Sequence, residues 1–385
     1  MRLPKGMASQ FRPREVHVPD ELWQDRTLPE GAKHFWCMLR LMRESRPASR
    51  ILTTTFGELR AETGVSRNSI SKYLTVLQST GWLRVTRPGR SRLEIAIGWP
   101  QGARLLRLPE DILKDRKLPH AARWIWGVIR RHGQQFDYGR MKELTGYTHN
   151  TLTHHLKLLR QRGWLEGEHS FVARCKHFLL VAANPVETRR QQELAKFLKA
   201  AQYVERTDRY SWGQFLTEQI VLLRTGGHVV RNGAGSWLAN DETGARLECD
   251  VLLPKYKAVI EFQGPQHDGP TDRFSDPEEV AAQQKRDQLK RQRCRQSGFR
   301  FGEIRAQDLG FPAVEQVLRE AGVPLRPVPE EKRYVGALLE YYTAQYRVAA
   351  ERWQAPGLRR THGKAAQVTA LVSQRAVSGR RQGST

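Results

Sequence analysis

An internal repeat occupies the first half of the chain and limits its fold more than any other feature. The segment VPDELWQDRTLPEGAKHFWCMLR, which begins at Val18, recurs with similar residues as LPEDILKDRKLPHAARWIWGVIR from Leu108. A second pair of segments follows, in which ELRAETGVSRNSISKYLTVLQSTGWLRV matches MKELTGYTHNTLTHHLKLLRQRGWLEGE. Since similar sequences bury similar faces, we expect two consecutive domains of the same fold.

The order of local patterns is the same in both copies. A Pro-led turn precedes a helix whose predicted apolar face comprises Phe35, Trp36 and Leu39 in the first copy and Trp124, Ile125 and Val128 in the second. A glycine turn, a polar helix, Gly-Trp-Leu and a strand follow, which is the order of a winged helix-turn-helix. The region from Val18 to Ala182 resembles the winged-helix modules of plasmid and phage replication proteins and of bacterial regulators. This resemblance implies binding to double-stranded DNA.

The polar helix of each copy carries the predicted base contacts. Ser66 is a natural N-cap, and the exposed helix start in the first copy presents Arg67, Asn68, Ser69, Ser71 and Lys72. Arginines of the following wing are predicted to contact phosphates: Arg84, Arg87, Arg90 and Arg92. The second copy offers His149, Asn150, Thr151, Thr153, His154 and Lys157, followed by an acidic wing sequence, EGEHS. We therefore interpret the second copy as a weaker DNA reader or as a packing and dimerisation scaffold.

Histidines of the second copy also raise the question of a zinc site. His149, His154 and His155 lie on one predicted helix, and Cys175 and His177 follow downstream. Adjacent residues point in different directions on a helix, so His154 and His155 cannot face one ion together. No tetrahedral ligand set is evident, and we expect no zinc site here.

A predicted β-hairpin between Arg246 and Asp268 carries the candidate chemistry. Apolar residues alternate in both of its strands, at Leu247, Cys249, Val251 and Leu253 and then at Ala258, Ile260 and Phe262, as in half-buried antiparallel strands. A turn over Pro254 to Lys257 would bring Asp250 and Glu261 together. Two carboxylates on a rigid sheet form a hard-oxygen site suited to Mg²⁺. The competing interpretation is a hairpin with ordinary surface acids.

The same residues resemble the core of the restriction-endonuclease-like, or PD-(D/E)XK, superfamily. Asp250 and Glu261-Phe262-Gln263 match its pattern of Asp, a spacer and Asp/Glu-x-Lys, and the continuation to His267 is similar to the very-short-patch-repair type. A predicted helix and strand follow, as in these nucleases. The resemblance covers roughly Tyr210 to Leu309, and Gln263 departs from it by replacing the usual Lys.

The resemblance implies a role for each residue. Asp250 and Glu261 would hold Mg²⁺, with Mn²⁺ as a substitute, and Glu218 would be a further ligand or a nearby acid. His267 would transfer a proton. At the position where Gln263 departs from the family, its amide can orient the attacking water by hydrogen bonds but cannot act as a cation or a base. Lys290 is a candidate for the missing cation, or else part of a solvated or phosphate-binding face.

Composition favours a polyanionic partner. The chain has 64 Lys and Arg against 40 Asp and Glu, a formal net charge of +24. No apolar run approaches the ~20 residues of a membrane span, and the first residues lack a signal-peptide core. We therefore expect a cytoplasmic, nucleoid-associated protein with no membrane partner.

The predicted organisation is two tandem winged helix-turn-helix domains, α+β and mostly α, followed by an α/β restriction-endonuclease-like domain, a C-terminal helix and a basic tail. The two winged helix-turn-helix domains span residues 1–100 and 101–185, and a helical connector spans 186–209. The nuclease domain follows at 210–325, the C-terminal helix at 326–354 and a tail expected to lack structure of its own at 355–385.

The predicted function is a metal-dependent DNA endonuclease. It would act as a monomer on an asymmetric site or as a dimer. The alternatives are a non-catalytic replication initiator or repressor that retains a decayed nuclease domain, and an RNA-binding nuclease. Paired helix-turn-helix modules favour duplex DNA over RNA.

Overall fold

The protein is a mixed α/β chain whose contacts divide it into two compact units in the computed structural model. The first unit comprises residues 12–188, here called the repeat unit, and the second comprises residues 1–11 with 189–385, here called the C-terminal unit. No helix in the part of the chain described is both long and apolar enough to cross a membrane. The structure describes residues 4, 7, 11–46, 51–89, 91–100, 102–132, 135–172, 175–207, 211–227, 229–235, 237–239, 244, 246–264 and 277–354.

The repeat unit contains the same series of elements twice. The first copy consists of β1 (Glu15–Pro19), α1 (Asp20–Trp23), α2 (Glu30–Glu44), β2 (Ile51–Thr55), α3 (Phe56–Thr63), α4 (Arg67–Ser79), β3 (Leu83–Thr86) and β4 (Arg92–Ile97). The second consists of β5 (Leu105–Pro109), α5 (Glu110–Lys114), α6 (His120–His132), β6 (Gln135–Phe136), α7 (Tyr138–Thr145), α8 (His149–Gln161), β7 (Leu165–Val172) and β8 (Cys175–Ala182). Each copy forms an antiparallel three-stranded sheet, in the orders β2-β4-β3 and β6-β8-β7.

Matching caps explain why the helices of the two copies begin and end alike. Gly64 and Gly146 end α3 and α7 at φ of 69° and 72°, a left-handed conformation that glycine adopts without strain. Side-chain oxygens cap the following helices: Ser66 accepts from the amide of Ser69 at 3.2 Å and Thr148 from that of Thr151 at 3.3 Å. The two sequences therefore specify the same helix, turn, helix geometry.

Apolar faces of the two copies meet in one core. The predicted faces are confirmed, because the side chains of Phe35, Trp36, Leu39, Trp124, Ile125 and Val128 are all buried. A turn leads to Pro29, which directly precedes α2 as expected, but the start of the first repeat segment is extended. Val18 and Pro19 end β1, a strand that pairs with β5 of the other copy, and the short helix α1 follows. The chain is extended here because its backbone pairs with that of β5, where Leu106 lies opposite Val18.

The C-terminal unit is built on a mixed four-stranded sheet. Its elements are α9 (Pro185–Arg206), whose first residues belong to the repeat unit, α10 (Trp212–Thr225), β9 (Val230–Gly233), β10 (Cys249–Leu253), β11 (Ala258–Gln263), α11 (Pro277–Gln296), β12 (Arg300–Arg305), α12 (Phe311–Glu320) and α13 (Arg333–Gln354). Short 3-10 helices lie at Pro254–Tyr256, Ala306–Asp308 and Glu330–Lys332. The strand order is β12-β11-β10-β9, with β11 and β12 parallel and the other pairs antiparallel.

The predicted hairpin is confirmed, but its second strand is not half-buried. β10 and β11 pair with Leu253 opposite Ala258, and every residue of β11 is buried. Phe262 packs against Tyr346 of α13 on one face, while Val259 shares a small core with Cys294 of α11 on the other. Since helices cover both faces, Glu261 lies beneath α11 and is buried, as is Asp250 on the neighbouring strand.

Helices predicted around this sheet are also confirmed. The connector is α9, the helix that carries Glu218 is α10, and the basic segment before β12 is α11. The amphipathic face of α13 is buried as expected, at Leu338, Leu339, Tyr342, Tyr346 and Ala349. The predicted tail, residues 355–385, lies outside the described residues.

Candidate active site and nucleic-acid interface

Asp250 and Glu261 meet where the ladder between β10 and β11 opens. The last paired residues are Val251 and Ile260. Beyond them, the amide of Asp250 donates to Oε1 of Glu261 at 3.0 Å, and the amide of Phe262 donates to Oδ2 of Asp250 at 2.8 Å. Each carboxylate thus takes the place of a backbone acceptor on the facing strand. Side chains predicted to converge do so, and both are buried.

The pair carries an excess of buried negative charge. Burial and then the neighbouring charge of Asp250 raise the pKa of Glu261, although the ammonium of Lys290 opposes this shift. A buried carboxylate pair beside a single ammonium still lacks one positive charge. Oxygen ligands and this deficit suit a hard divalent cation, so the residues present fit Mg²⁺.

Lys290 of α11 provides the ammonium at this site. Its Nζ donates to Oε2 of Glu261 at 2.9 Å, and its side chain is largely buried. Burial alone would lower the pKa of Lys290, but the charge and hydrogen bond of Glu261, with smaller contributions from Asp250 and Asp287, outweigh burial and raise it. Lys290 is therefore a charged partner of the pair and not a solvated side chain.

Gln263 points to a second polar cluster on the same sheet. Its Nε2 donates to Oε1 of Glu303 at 3.1 Å, and Arg291 donates to the same oxygen from Nε at 2.8 Å. Glu303 lies on β12 directly beside Glu261 in the parallel register. Adjacent residues of α11, Lys290 and Arg291, thus supply one cation to each of two neighbouring acids.

Gln214 holds Asp250 from the start of α10. The amide of Ser211 donates to Oε1 of Gln214 at 3.0 Å, and the amide of Gln214 donates to Oγ of Ser211 at 3.0 Å, which is a capping box. Nε2 of Gln214 donates to Oδ1 of Asp250. The helix cap therefore fixes which end of the amide faces the carboxylate.

Glu218 lies one turn further along α10 and is buried. Its two oxygens accept from Nε and Nη2 of Arg231 on β9 at 2.7 and 2.9 Å. A bidentate guanidinium compensates the charge of Glu218. Its predicted role as a metal ligand or nearby acid stays a prediction, as does that of His267, which lies outside the described residues.

Polar side chains line the exposed starts of α4 and α8. Arg67, Asn68, Ser71 and Lys72 of α4 are exposed and Ser69 is half-buried; His149, Asn150, Thr153 and Lys157 of α8 are exposed and Thr151 is half-buried. The wing residues Arg84, Arg87 and Arg92 are exposed, while Arg90 lies outside the described residues. The predicted base and phosphate contacts that can be located therefore face solvent.

Two residues of the second copy are held by a neighbouring tyrosine. The ring of His149 lies against Tyr138 at a tilt of 37° with centroids 4.1 Å apart, and the hydroxyl of Thr153 lies 2.9 Å from that of Tyr138. His155 is buried and therefore differs in environment from the exposed His154. The side chains of Cys175 and His177 lie outside those described.

No family model and no curated protein matches the chain. Among the described residues, no group of three or more His, Cys, Asp or Glu side chains is placed to hold a metal ion. Support for a function thus comes from the site itself, where two carboxylates, one lysine and one glutamine converge.

Several site residues were missed by the sequence interpretation. Gln214, Arg231 and Glu303 each bind a predicted site residue, and Arg291 binds Glu303, yet none of the four was expected. Ser211-x-x-Gln214 is a visible capping-box signal for the start of a helix. It gives no indication that the capping glutamine also contacts a carboxylate on a strand 36 residues away.

Proposed function

We propose that the chain is a metal-dependent DNA endonuclease that binds duplex DNA through the repeat unit and hydrolyses phosphodiester bonds at the Asp250–Glu261 pair. One observation carries the proposal: two buried carboxylates on adjacent strands, with a lysine ammonium 2.9 Å from one of them. This donor set matches the metal, acid and lysine chemistry implied by the resemblance to restriction-endonuclease-like proteins.

Each residue then has a specific task. Asp250 and Glu261 would hold Mg²⁺, which when bound would polarise the scissile phosphate and lower the pKa of a water. Gln214 fixes the orientation of Asp250, and Lys290 adds positive charge where negative charge develops on the phosphate. Gln263, held by Glu303, offers its amide to a water. His267 remains the proposed proton-transfer group.

A binding experiment paired with a cleavage experiment tests the proposal. Asp250→Asn and Glu261→Gln should each abolish cutting of duplex DNA in Mg²⁺ or Mn²⁺, while duplex affinity stays within a few-fold, since exposed arginines supply most of the affinity. The exposed Asp308 provides a matched control, and Asp308→Asn should cut normally. Normal cutting by Asp250→Asn, or chelator-resistant cutting by the parent, would overturn the assignment.

The main alternative is a non-catalytic DNA-binding protein with a decayed nuclease domain. Two observations favour it: Gln263 replaces the family lysine, and Arg231 occupies both oxygens of Glu218. Duplex binding by the parent protein with no cutting in Mg²⁺ or Mn²⁺ would support this alternative. Preferential cutting of an RNA duplex in the same assay would support the third possibility, an RNA-binding nuclease.

A further inference from the structure

The two copies in the repeat unit pair with each other as the halves of a two-fold dimer do. β1 and β5 are antiparallel, with Val16 opposite Leu108, His17 opposite Arg107 and Val18 opposite Leu106. In the sequence repeat, Val18 corresponds to Leu108, and therefore His17 corresponds to Arg107. His17 thus lies opposite its own counterpart. Val16 lies opposite the counterpart of Val18, and Val18 lies opposite the counterpart of Val16. This register places a pseudo-two-fold axis between His17 and Arg107.

Two backbone hydrogen bonds that flank β1 and β5 are related by the same pseudo-two-fold axis. The amide of Asp20 donates to the carbonyl of Arg104 at 2.9 Å, and the amide of Glu110 donates to that of Arg14 at 2.7 Å. Asp20 corresponds to Glu110 in the repeat, and Arg14 corresponds to Arg104. The two bonds are therefore mates under the pseudo-two-fold rotation.

The axis also relates the turns that precede α4 and α8. A Cβ added at Gly64 would lie 3.2 Å from the guanidinium of Arg116, and one added at Gly146 would lie 2.7 Å from that of Arg26. Arg26 and Arg116 are counterparts in the repeat. Each copy thus packs an arginine against the glycine turn of the other, so both helix starts lie beside the interface between the copies.

The exposed positions of α4 and α8 correspond one to one. The equivalent exposed pairs are Arg67 with His149, Asn68 with Asn150, Ser71 with Thr153, Lys72 with His154 and Thr75 with Lys157. Asparagine is identical in the two helices, and an asparagine amide can pair in a bidentate manner with adenine. Ser71 and Thr153 both carry a hydroxyl, and the other three positions differ in chemistry.

We propose that a single chain recognises an imperfect inverted repeat in duplex DNA, with α4 on one half-site and α8 on the other. The two strands of a duplex are themselves related by two-fold axes, so helices related by a two-fold contact half-sites of opposite orientation. Asn68 and Asn150 contact the same base at symmetry-related positions of the two half-sites. Arg67 and His149 occupy equivalent positions with different side chains, so the half-sites differ in sequence there. This inference rests on the proposed DNA binding and adds the form of the target.

Selection from a random duplex pool tests the form of the target. The full chain is used in the presence of a chelator, so that bound duplexes are not cut. The expected winners contain two related half-sites in inverted orientation, with one chain per duplex by sedimentation. A direct repeat, a lone half-site or two chains per duplex would overturn the inference and leave the endonuclease proposal intact. Absence of binding to any duplex would overturn both.

Paired substitutions test the assignment of helices to half-sites. Asn68→Ala should reduce discrimination at one position of one half-site by about 5- to 150-fold, the range for loss of a bidentate base contact, and Asn150→Ala should do so at the mirrored position of the other. The exposed Gln78 lies at the far end of α4, and Gln78→Ala is the matched control. Thermal unfolding verifies that each variant is folded. Loss at the same half-site in both variants, or no loss in either, contradicts the assignment.

Discussion

The two units of the chain place their candidate functional groups in opposite environments. In the repeat unit, Asn68, Lys72 and Asn150 stand exposed on helices whose apolar faces form the core. In the C-terminal unit, Asp250 and Glu261 are buried between a sheet and its helices. Exposed contacts with DNA are many and individually replaceable, whereas a buried charge depends on each of its few partners. We therefore expect substitutions to have graded effects in the first unit and severe effects in the second.

Lys290 should show the largest effect outside the carboxylates themselves. Lys290→Met removes the ammonium that faces Glu261 and leaves two buried acids without it. Removing one preorganised electrostatic group typically lowers a rate by ~10²–10³-fold. Single-turnover cleavage at saturating Mg²⁺ measures this change. Lys285 is exposed on the same helix, so Lys285→Met is the matched control. A parental rate in Lys290→Met would exclude Lys290 from the site.

Arg67 should have an intermediate effect that is confined to specificity. Arg67→Ala removes a candidate bidentate contact, worth about 1–3 kcal/mol of discrimination between bases. Affinity for scrambled duplexes should change much less, because most of that affinity comes from phosphate contacts. Titration of selected and scrambled duplexes with the parent and the variant distinguishes the two effects. Equal losses on both duplexes would make Arg67 a phosphate contact.

Local signals in the sequence were enough to predict much of both units. Ser66 and Gly64 mark the turn between α3 and α4, and alternation around Asp250 and Glu261 predicts the hairpin that brings them together. These inferences succeed because each depends on residues within about a dozen positions of one another. The predicted activity and DNA contacts await experiment.

Long-range partners could not be predicted in the same way. The extended conformation of Val18 and Pro19 follows from pairing with β5, which no local pattern indicates. Gln214 reaches Asp250, 36 residues away in the chain, and Gln263 reaches Glu303, 40 residues away, only in the assembled unit. No periodicity in the sequence connects such residues. The burial of β11 on both faces likewise depends on α11, which is separated from it in the chain by residues 264–276.

A pair of neighbouring histidines, of which His34 is buried and His120 half-buried, should make stability depend on pH. Burial first, and then the charges of Arg123 and the neighbouring histidine, lower the pKa of His34 to about 3, while burial and Arg123 lower that of His120 to about 4. Both pKa values fall below the unfolded value of ~6.5, so the fold favours neutral rings. Their contribution is fully present above pH ~6.5 and is lost as the pH falls towards the folded values.

Thermal unfolding of the full chain at pH 7.5 and 5 measures this dependence. Each histidine should account for roughly 1–2 kcal/mol of lost stability at the lower pH. His34→Gln, in which the amide can still donate to the carbonyl of Leu113, should reduce the loss. His149→Gln, at an exposed site, should not. Equal losses at low pH in the parent and in His34→Gln would exclude His34 as a cause.

The smallest predicted effect concerns duplex binding by the wings of the two copies, which differ in charge. Arg84 on β3 corresponds in the repeat to Glu166 on β7, and both are exposed. If both wings lie near phosphates, Arg84→Gln should weaken binding to every duplex and reduce the salt slope by about 1, as expected for loss of one phosphate contact. Glu166→Gln should strengthen binding slightly, since it removes repulsion. Affinities over a salt series measure both changes. If Arg84→Gln weakens binding while Glu166→Gln changes nothing, only the first wing lies near DNA, and the second copy then contacts its half-site through α8 alone.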